Sequence, residues 1–245
     1  GQRYIGWFGG VALLGIVLLS LIGRWYGANL ANNTVLISKT AQNKETSLSR
    51  SKILISMLIL MLLIFSKYIY MASMTNYFTF YLIDKFGISI QQSQLYLFAF
   101  LGAIAAGTII GGPLGDRYGR KLIIWISILG AAPFTLLLPH MHLVGTVVLA
   151  IIIGIIISSA FSAILVYATE LVPGKVGMIS GMFFGFAFGI AGIGSAILGE
   201  LADHTSIAHV FSLCAYLPLI GIITAFLPNI EPKRKLVNPQ NNEQV

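Results

Sequence analysis

The sequence predicts an all-α integral membrane protein, because apolar residues dominate its composition and fall into long uninterrupted runs. Of the 245 residues, 57% are hydrophobic and only 9% are charged, and the mean hydropathy is +0.88. A soluble domain usually carries about 25% charged residues, so lipid must cover much of this surface. The runs lack the alternating pattern of an outer-membrane barrel. Helices are predicted because they satisfy their own backbone hydrogen bonds in lipid.

Seven stretches are long enough to cross a bilayer, since a helix of about 20 apolar residues spans its hydrocarbon core. The first begins almost at the start of the chain, and Lys67 is the only charged residue in the second. The third and sixth carry small residues on one face, the fourth follows a basic cluster, the fifth contains serines, and the seventh contains Cys214. The predicted spans are 4–23, 53–83, 92–114, 121–139, 143–168, 177–199 and 207–228.

A long polar stretch separates the first predicted span from the six closely connected ones that follow it. We therefore expect a single helix in 1–26, a linker in 27–52, a six-helix unit in 53–229 and a tail in 230–245. A single helix before a six-helix unit is expected if the sequence is a fragment of a larger chain, and the sequence opens without an initiator Met. We expect the chain to be part of a longer protein.

The distribution of basic residues predicts the orientation, because cytoplasmic loops of membrane proteins are enriched in Lys and Arg. Twelve of the 15 Lys and Arg residues fall on one side of the predicted spans, while only Arg3 and Lys85 fall on the other and Lys67 lies inside a span. The richer side carries the linker and the carboxyl tail. We therefore predict a multi-pass protein whose carboxyl terminus is cytoplasmic.

Several chemistries are not expected from this sequence. One cysteine forms neither a disulfide within the chain nor a cysteine metal cluster, and the run Pro139-His140-Met141-His142 has no acid or cysteine beside it. The sequence contains no Ser-His-Asp set, His-Glu-x-x-His motif or phosphate-binding loop. The charged residues that give the net charge of +7 lie almost wholly in the connections between apolar segments, so nucleic acid is not an expected partner. We predict neither an enzyme nor a bound metal or cofactor.

A basic, glycine-rich motif joins the third and fourth predicted spans. It reads Gly112-Pro113-Leu114-Gly115-Asp116-Arg117-Tyr118-Gly119-Arg120-Lys121. Its glycines permit a tight turn and close helix approach, and Asp116 can cap a helix or pair with Arg117 or Arg120. The motif resembles the G-x-L-x-D-R-x-G-R-K signature of the major facilitator superfamily, which lies on a cytoplasmic loop. We predict a conformational-switch loop formed by Gly112, Asp116, Arg117, Gly119, Arg120 and Lys121.

This resemblance implies two six-helix halves joined by a long cytoplasmic loop, so that 1–26 would hold the last helix of an amino-terminal half that is otherwise missing. Segments 66–82, 105–121 and 160–189 are similar to the fosmidomycin resistance proteins of bacteria, which are drug exporters of the same superfamily. That similarity implies proton-driven efflux of fosmidomycin or other drugs across the bacterial inner (plasma) membrane. The implied partners are the drug, protons, the missing half and the lipid bilayer.

Lys67 is the single residue most indicative of transport. An ionisable side chain inside a membrane span is costly and usually faces a cavity or a partner. We predict that Lys67 attracts an anionic group such as a phosphonate. Alternatively, Lys67 snorkels toward the membrane surface or pairs with a missing helix. The hydroxyls of Ser159 and Ser162 could likewise bond the backbone of their own helix instead of a substrate. The predicted substrate-binding set is Lys67, Tyr70, Asn76, Tyr77, Ser159 and Ser162.

Two further features of the spans lead to predictions. Gly181, Gly185 and Gly189 recur at four-residue spacing and predict a face where another helix packs closely. No carboxylate lies deep within a predicted span, and Glu170, at a cytoplasmic end, is expected to make a helix-end or loop contact. Proton coupling usually needs an embedded titratable acid. We therefore expect that acid in the missing half and expect this chain alone to be unable to transport.

Other functions stay open at this point. The chain could belong to a transporter of the same superfamily that exports or imports another small molecule, because members of one fold differ by the residues that line their sites. From a different class, it could be a self-contained seven-helix channel or receptor-like protein. That alternative requires an initiator Met and a self-sufficient pore. An intramembrane enzyme would require a set of catalytic residues that the sequence lacks.

Overall fold

The computed structural model describes residues 13–25 and 49–228, and every regular element among them is helical. The chain divides into two units, Gly1–Thr46 and Ser47–Val245. In the first unit, the described residues form one apolar helix, α1, at Leu13–Trp25. Residues 4–12 of the first predicted span, the predicted linker up to residue 48 and the predicted tail lie outside the described residues.

The second unit contains six helical segments that are long and apolar enough to cross a membrane, at the positions of the last six predicted spans. Two of these segments are divided into shorter pieces. The elements are α2 (Arg50–Phe86), α3 (Ile90–Tyr118), α4 (Arg120–Ile128), α5 (Ala132–Leu137), a 3-10 turn (Leu138–His140), α6 (Leu143–Leu171), α7 (Val176–His204), α8 (Ile207–Cys214) and a last 3-10 segment (Leu217–Phe226).

Helix α2 occupies the centre of the second unit, where it contacts α3, α6, α7, α8 and the last 3-10 segment. Its first half packs with α4, α6 and α7 in one apolar cluster, in which Leu60 and Ile64 are fully buried. Its second half packs with α3, α6 and α8 in another cluster, around Met74 and Phe78. These two clusters form the core and leave a boundary near the middle of α2.

Helices α3 and α6 approach each other closely along small residues. A Cβ atom at Gly111 would lie 2.6 Å from the Cα atom of Ser159, and a Cβ atom at Gly154 would lie 3.2 Å from Ala103. Side chains at Gly111 would therefore force the two backbones apart. This contact fixes α6 against the core and thereby positions the residues that α6 contributes to the site described below.

The structure corrects the predicted loop between the third and fourth spans. Helix α3 continues through Gly112 and Asp116 to Tyr118, and only Gly119 separates it from α4. Gly119 has φ = 98°, a conformation that residues with a Cβ atom rarely adopt. The predicted spans ended at residue 114 and began again at residue 121, so the glycines of the motif were expected to lie in a tight loop between them. Here Pro113 lies inside the helix, and the turn is made at one glycine.

The structure also corrects the last predicted span, which is not one continuous helix. Helix α8 ends at Cys214, and a ten-residue 3-10 segment begins at Leu217, with Pro218 as its second residue. Hydroxyl groups of other helices bond the carbonyls at this break: Thr135 donates to Ala215 and Ser66 donates to Leu217. A break inside a membrane is tolerated where such groups satisfy the backbone.

Candidate functional site

The apolar core along α2 is interrupted at Lys67. The buried members of the first cluster end on α2 at Ile64, and those of the second begin at Tyr70. Helix α2 has 37 residues, so it is about 55 Å long, and Lys67 lies about 25 Å from its start. The side chain is only 5% exposed. An ammonium group is therefore buried near the midpoint of a membrane-spanning helix.

Aromatic rings, rather than acids, surround the ammonium of Lys67 in the part of the chain that the structure describes. Its Nζ atom lies 5.3 Å from the ring centre of Tyr68 and 5.2 Å from that of Phe161 on α6. The ion pairs among the described residues involve other cations. A cation–π contact contributes about 0.5–2 kcal/mol, which is less than the several kcal/mol that burial of an unpaired ion costs. The site is thus electrostatically suited to an anion.

Four rings form a closed set beside Lys67, which we name the aromatic quartet: Tyr68, Phe161, Phe184 and Phe188. Tyr68 lies edge-to-face with Phe161 at 5.7 Å and with Phe188 at 6.3 Å between ring centres. Phe161 lies edge-to-face with Phe184 at 5.0 Å, and Phe184 stacks on Phe188 at 6.3 Å. Helices α2, α6 and α7 each contribute to this set. The quartet therefore joins three helices, and two of its rings, Tyr68 and Phe161, contact the buried ammonium.

The other residues predicted to bind substrate make contacts elsewhere among the helices. Tyr70 is buried in the second apolar cluster. Asn76 and Tyr77 both donate hydrogen bonds to Ser195 on α7, to its Oγ atom at 3.0 Å and its carbonyl oxygen at 2.7 Å respectively. These bonds tie the second half of α2 to α7.

The two predicted serines lie on α6. Ser159 is buried and its hydroxyl meets that of Ser127 on α4, while also bonding the Ile156 carbonyl. Ser162 donates to the carbonyl of Ser159. The alternative in which serines bond their own helix backbone describes the bonds to Ile156 and Ser159, while the contact with Ser127 joins two helices. Their predicted role in substrate binding stays a prediction.

The basic motif at the end of α3 forms a network of charged contacts. Arg120 lies 3.2 Å from the carboxylate of Asp116, one turn earlier, and also forms an ion pair with Glu170 near the end of α6. Lys121 donates hydrogen bonds to the carbonyl oxygens of Ala225 and Leu227 at the end of the last 3-10 segment. The motif therefore connects the ends of α3, α4, α6 and the last segment.

The three glycines predicted to pack a helix lie on a side of α7 that is open within the second unit. Cβ atoms at Gly181, Gly185 and Gly189 would meet no atom of the described residues within 4 Å. Gly194 and Gly199, farther along α7, instead face Ile69 and Tyr77 of α2. Close packing at the three predicted glycines would need a surface beyond the residues that the structure describes.

Comparison with known proteins identifies a family whose match covers the charged motif and nearly all of the six membrane-spanning segments. Residues 56–244 match the family described as the Major Facilitator Superfamily. The chain belongs to the Major Facilitator Superfamily. It is a multi-pass membrane protein of that superfamily, with six helical segments among the described residues that are long and apolar enough to cross a membrane. Comparison with solved structures gives no significant match.

Three relatives indicate the position of the chain within the superfamily. It is 58% identical to the fosmidomycin resistance protein of Escherichia coli (strain K12) over 94% of its own length and 56% of the relative. It is 37% identical to the uncharacterized MFS-type transporter YfnC of Bacillus subtilis (strain 168) over 96% of its length and 58% of that relative. It is 28% identical to the 4-hydroxybenzoate transporter PcaK of Acinetobacter baylyi (strain ATCC 33305 / BD413 / ADP1), over 60% of its length and 33% of that relative. The chain thus spans little more than half the length of the first two relatives.

Two features of this superfamily member were not predicted as parts of a site. Phe161, Phe184 and Phe188 lie in apolar spans, where aromatic residues are ordinary. The contact of Phe161 with Lys67 and the ring contacts among the quartet depend on helix packing. The only sequence signal was the four-residue spacing of the two phenylalanines on α7. Glu170 was expected to make a helix-end contact, and the structure identifies Arg120 as its partner.

Proposed function

We propose that the chain is part of a proton-coupled exporter that moves fosmidomycin or related drugs out of the bacterial cell and so confers antibiotic resistance. The observation that carries this proposal is the buried ammonium of Lys67, which has no acidic partner among the described residues. Fosmidomycin carries a phosphonate, an anion that can pair with such a cation. The 58% identity to the fosmidomycin resistance protein supports the choice of drug.

The electrostatics of the site favour an anionic substrate. Burial strengthens the attraction between opposite charges because the surroundings have a low dielectric constant. Lys67 already bears the cost of burial, so an arriving anion gains the attraction while supplying the partner that the cation lacks. The acids of the described helices all lie toward helix ends, as Asp84 and Glu170 do. The proposed substrate therefore meets one positive charge and no competing carboxylate from these helices.

The charged motif is the proposed conformational switch. Arg120 joins Asp116 on α3 to Glu170 on α6, and such ion pairs can hold helix ends together in one access state and separate in the other. Gly112, Arg117, Gly119 and Lys121 complete the proposed switch. Because it is rich in basic residues, we place it on the cytoplasmic side of the bacterial inner membrane, with the carboxyl terminus.

The proposed organisation follows the superfamily. Residues 1–26 would contain the last helix of an amino-terminal half, 27–52 the cytoplasmic linker, 53–229 the carboxyl-terminal half, and 230–245 a cytoplasmic tail. The protein would act as a transporter and not as an enzyme. An acid for proton coupling would come from the amino-terminal half, since the acids of the described helices lie toward helix ends.

The export proposal is tested in a drug-sensitive bacterial host that expresses the complete coding sequence to which this chain belongs. The unaltered protein should raise the fosmidomycin concentration that the host tolerates. Lys67→Met should lower drug efflux at least about 10-fold, because a hydrogen bond to a charged group is worth about 1.5–3 kcal/mol. The variant should still fold, since apolar replacements of buried ions are often neutral or stabilising. Lys52→Met, at an exposed position on the same helix, should protect like the unaltered protein.

Each outcome of this experiment has a distinct meaning. Efflux that stops when a protonophore collapses the proton gradient would support proton coupling, and continued efflux would contradict it. Full protection by Lys67→Met would show that the drug binds elsewhere. A well-expressed protein that gives no protection would overturn the choice of drug, and a superfamily transporter of another small molecule would then be the better interpretation.

A further inference from the structure

We infer that the site at Lys67 takes aromatic anions, in which a phosphonate or carboxylate is attached to an aromatic ring. The inference rests on the proposed function, because it assigns a ligand class to the same lysine, and it extends that function beyond the one proposed drug. The anionic group would lie against the Lys67 ammonium. The ring of the ligand would lie against the aromatic quartet.

The charge at the site selects the anionic half of this ligand. Lys67 is 5% exposed and contacts ring faces rather than a carboxylate in the described part of the chain. A lipid tail or a neutral apolar molecule on the quartet would leave the ammonium without a counter-charge. An anionic ligand would supply that charge at the place where the core of α2 is interrupted, between Ile64 and Tyr70.

The arrangement of the rings selects the aromatic half of the ligand. Phe184 is 41% exposed and Phe188 is 65% exposed, whereas Phe183, which precedes Phe184, is fully buried in the core. The quartet therefore presents ring surface that the second unit itself does not cover. Its rings already meet edge-to-face and stacked, and a further ring can extend either geometry. Aromatic pairs are worth about 0.5–1.5 kcal/mol beyond the area they bury, or about 2- to 12-fold in affinity.

The position of Lys67 against Phe161 links these two halves into one site. The Nζ atom lies 5.2 Å from the centre of the Phe161 ring, and the same ring lies 5.0 Å from Phe184. A ligand whose anionic group is bonded directly to a ring, such as phenylphosphonate, can therefore contact both the ammonium and the quartet. A small aliphatic anion such as methylphosphonate can contact only the ammonium.

The inference is tested by ligand binding to the complete, purified protein. The melting temperature is measured at increasing concentrations of phenylphosphonate, methylphosphonate and benzyl alcohol, and each dependence gives an apparent Kd. Phenylphosphonate should bind about 2- to 12-fold more tightly than methylphosphonate. Benzyl alcohol, which has the ring without the charge, should bind more weakly than either anion.

Two variants with matched controls locate the binding. Lys67→Met should abolish the preference for both anions over benzyl alcohol. Phe161→Leu should remove the advantage of phenylphosphonate and leave the affinity for methylphosphonate within about twofold, because an apolar side chain of similar volume is retained. Lys52→Met and Phe98→Leu change an exposed lysine of α2 and an exposed phenylalanine of α3. Both controls should behave like the unaltered protein.

Three results would overturn the inference. The first is equal affinity for phenylphosphonate and methylphosphonate in the unaltered protein. The second is anion binding that persists unchanged in Lys67→Met, and the third is an aromatic preference that persists in Phe161→Leu. Failure of the proposed function is distinguishable, because fosmidomycin tolerance is measured separately. Phenylphosphonate binding through Lys67 and Phe161 without fosmidomycin tolerance would overturn the choice of fosmidomycin and support the ligand class.

Discussion

At the scale of single residues, Glu170 offers the clearest test of the charged motif. It pairs with Arg120, which also contacts Asp116, and both acids are partly exposed to solvent. Exposed ion pairs contribute only about 0–1 kcal/mol, so Glu170→Gln should change the melting temperature little. If the pair is worth about 1 kcal/mol in one access state, its loss shifts the ratio of the states about fivefold. We therefore expect normal expression and melting temperature with drug efflux reduced several-fold.

Glu200→Gln is the matched control for Glu170→Gln. Glu200 is also partly exposed and pairs with His204 within α7, so its loss alters a contact inside one helix. Efflux by this control should equal that of the unaltered protein. Unchanged efflux by Glu170→Gln at normal expression would contradict a role for this ion pair in the switch.

Sequence reasoning could predict some of the residues in these sites and not others. Lys67 was identifiable because a cation inside an apolar run is rare and costly. For Asp116 the sequence left a helix cap, Arg117 and Arg120 open as partners, and the structure shows the pair with Arg120. The contact between Lys67 and Phe161 was not predictable, because it joins α2 to α6 across 94 positions of sequence. A single sequence does not show which faces of two helices pack against each other.

At the scale of helices, the close contact between α3 and α6 leads to a stability prediction. A Cβ atom at Gly111 would lie within 2.8 Å of three atoms of Ser159, so Gly111→Ala should force the helices apart. Overpacking of this kind costs about 1–3 kcal/mol, and we expect a lower melting temperature of the complete protein. Gly102→Ala is the control, because a Cβ atom there meets nothing within 4 Å. An equal effect of both variants would contradict the packing.

For whole helices, hydropathy predicts the positions of the membrane spans but not the breaks within them. The last six predicted spans were confirmed in position because each apolar run is long enough to cross the bilayer. The break between α8 and the last 3-10 segment was missed because the run from 207 to 228 is uniformly apolar. Ser66 and Thr135 satisfy the carbonyls at that break from other helices. Such support depends on tertiary structure and leaves no mark in the local sequence.

At the scale of the whole molecule, the distribution of charge predicts which end of the second unit faces the cytoplasm. Lys175 lies between α6 and α7 on the side that holds twelve of the 15 basic residues, and His142 lies just before α6 on the opposite side. Both side chains are exposed, so a cysteine at either position should react if reagent reaches it. The natural cysteine, Cys214, is 2% exposed and is replaced by Cys214→Ser in the test protein.

Labelling of intact cells then decides the orientation. A maleimide that does not cross the membrane should label His142→Cys in intact cells, because we expect that position outside, whereas Lys175→Cys should be labelled only after the cells are permeabilised. The Cys214→Ser protein without a new cysteine gives the background, and its fosmidomycin tolerance shows that the replacement leaves the protein functional. The reverse labelling pattern would contradict the charge-based orientation. It would also move the Arg120–Glu170 pair to the outer face, where it would have to act on the opposite access state.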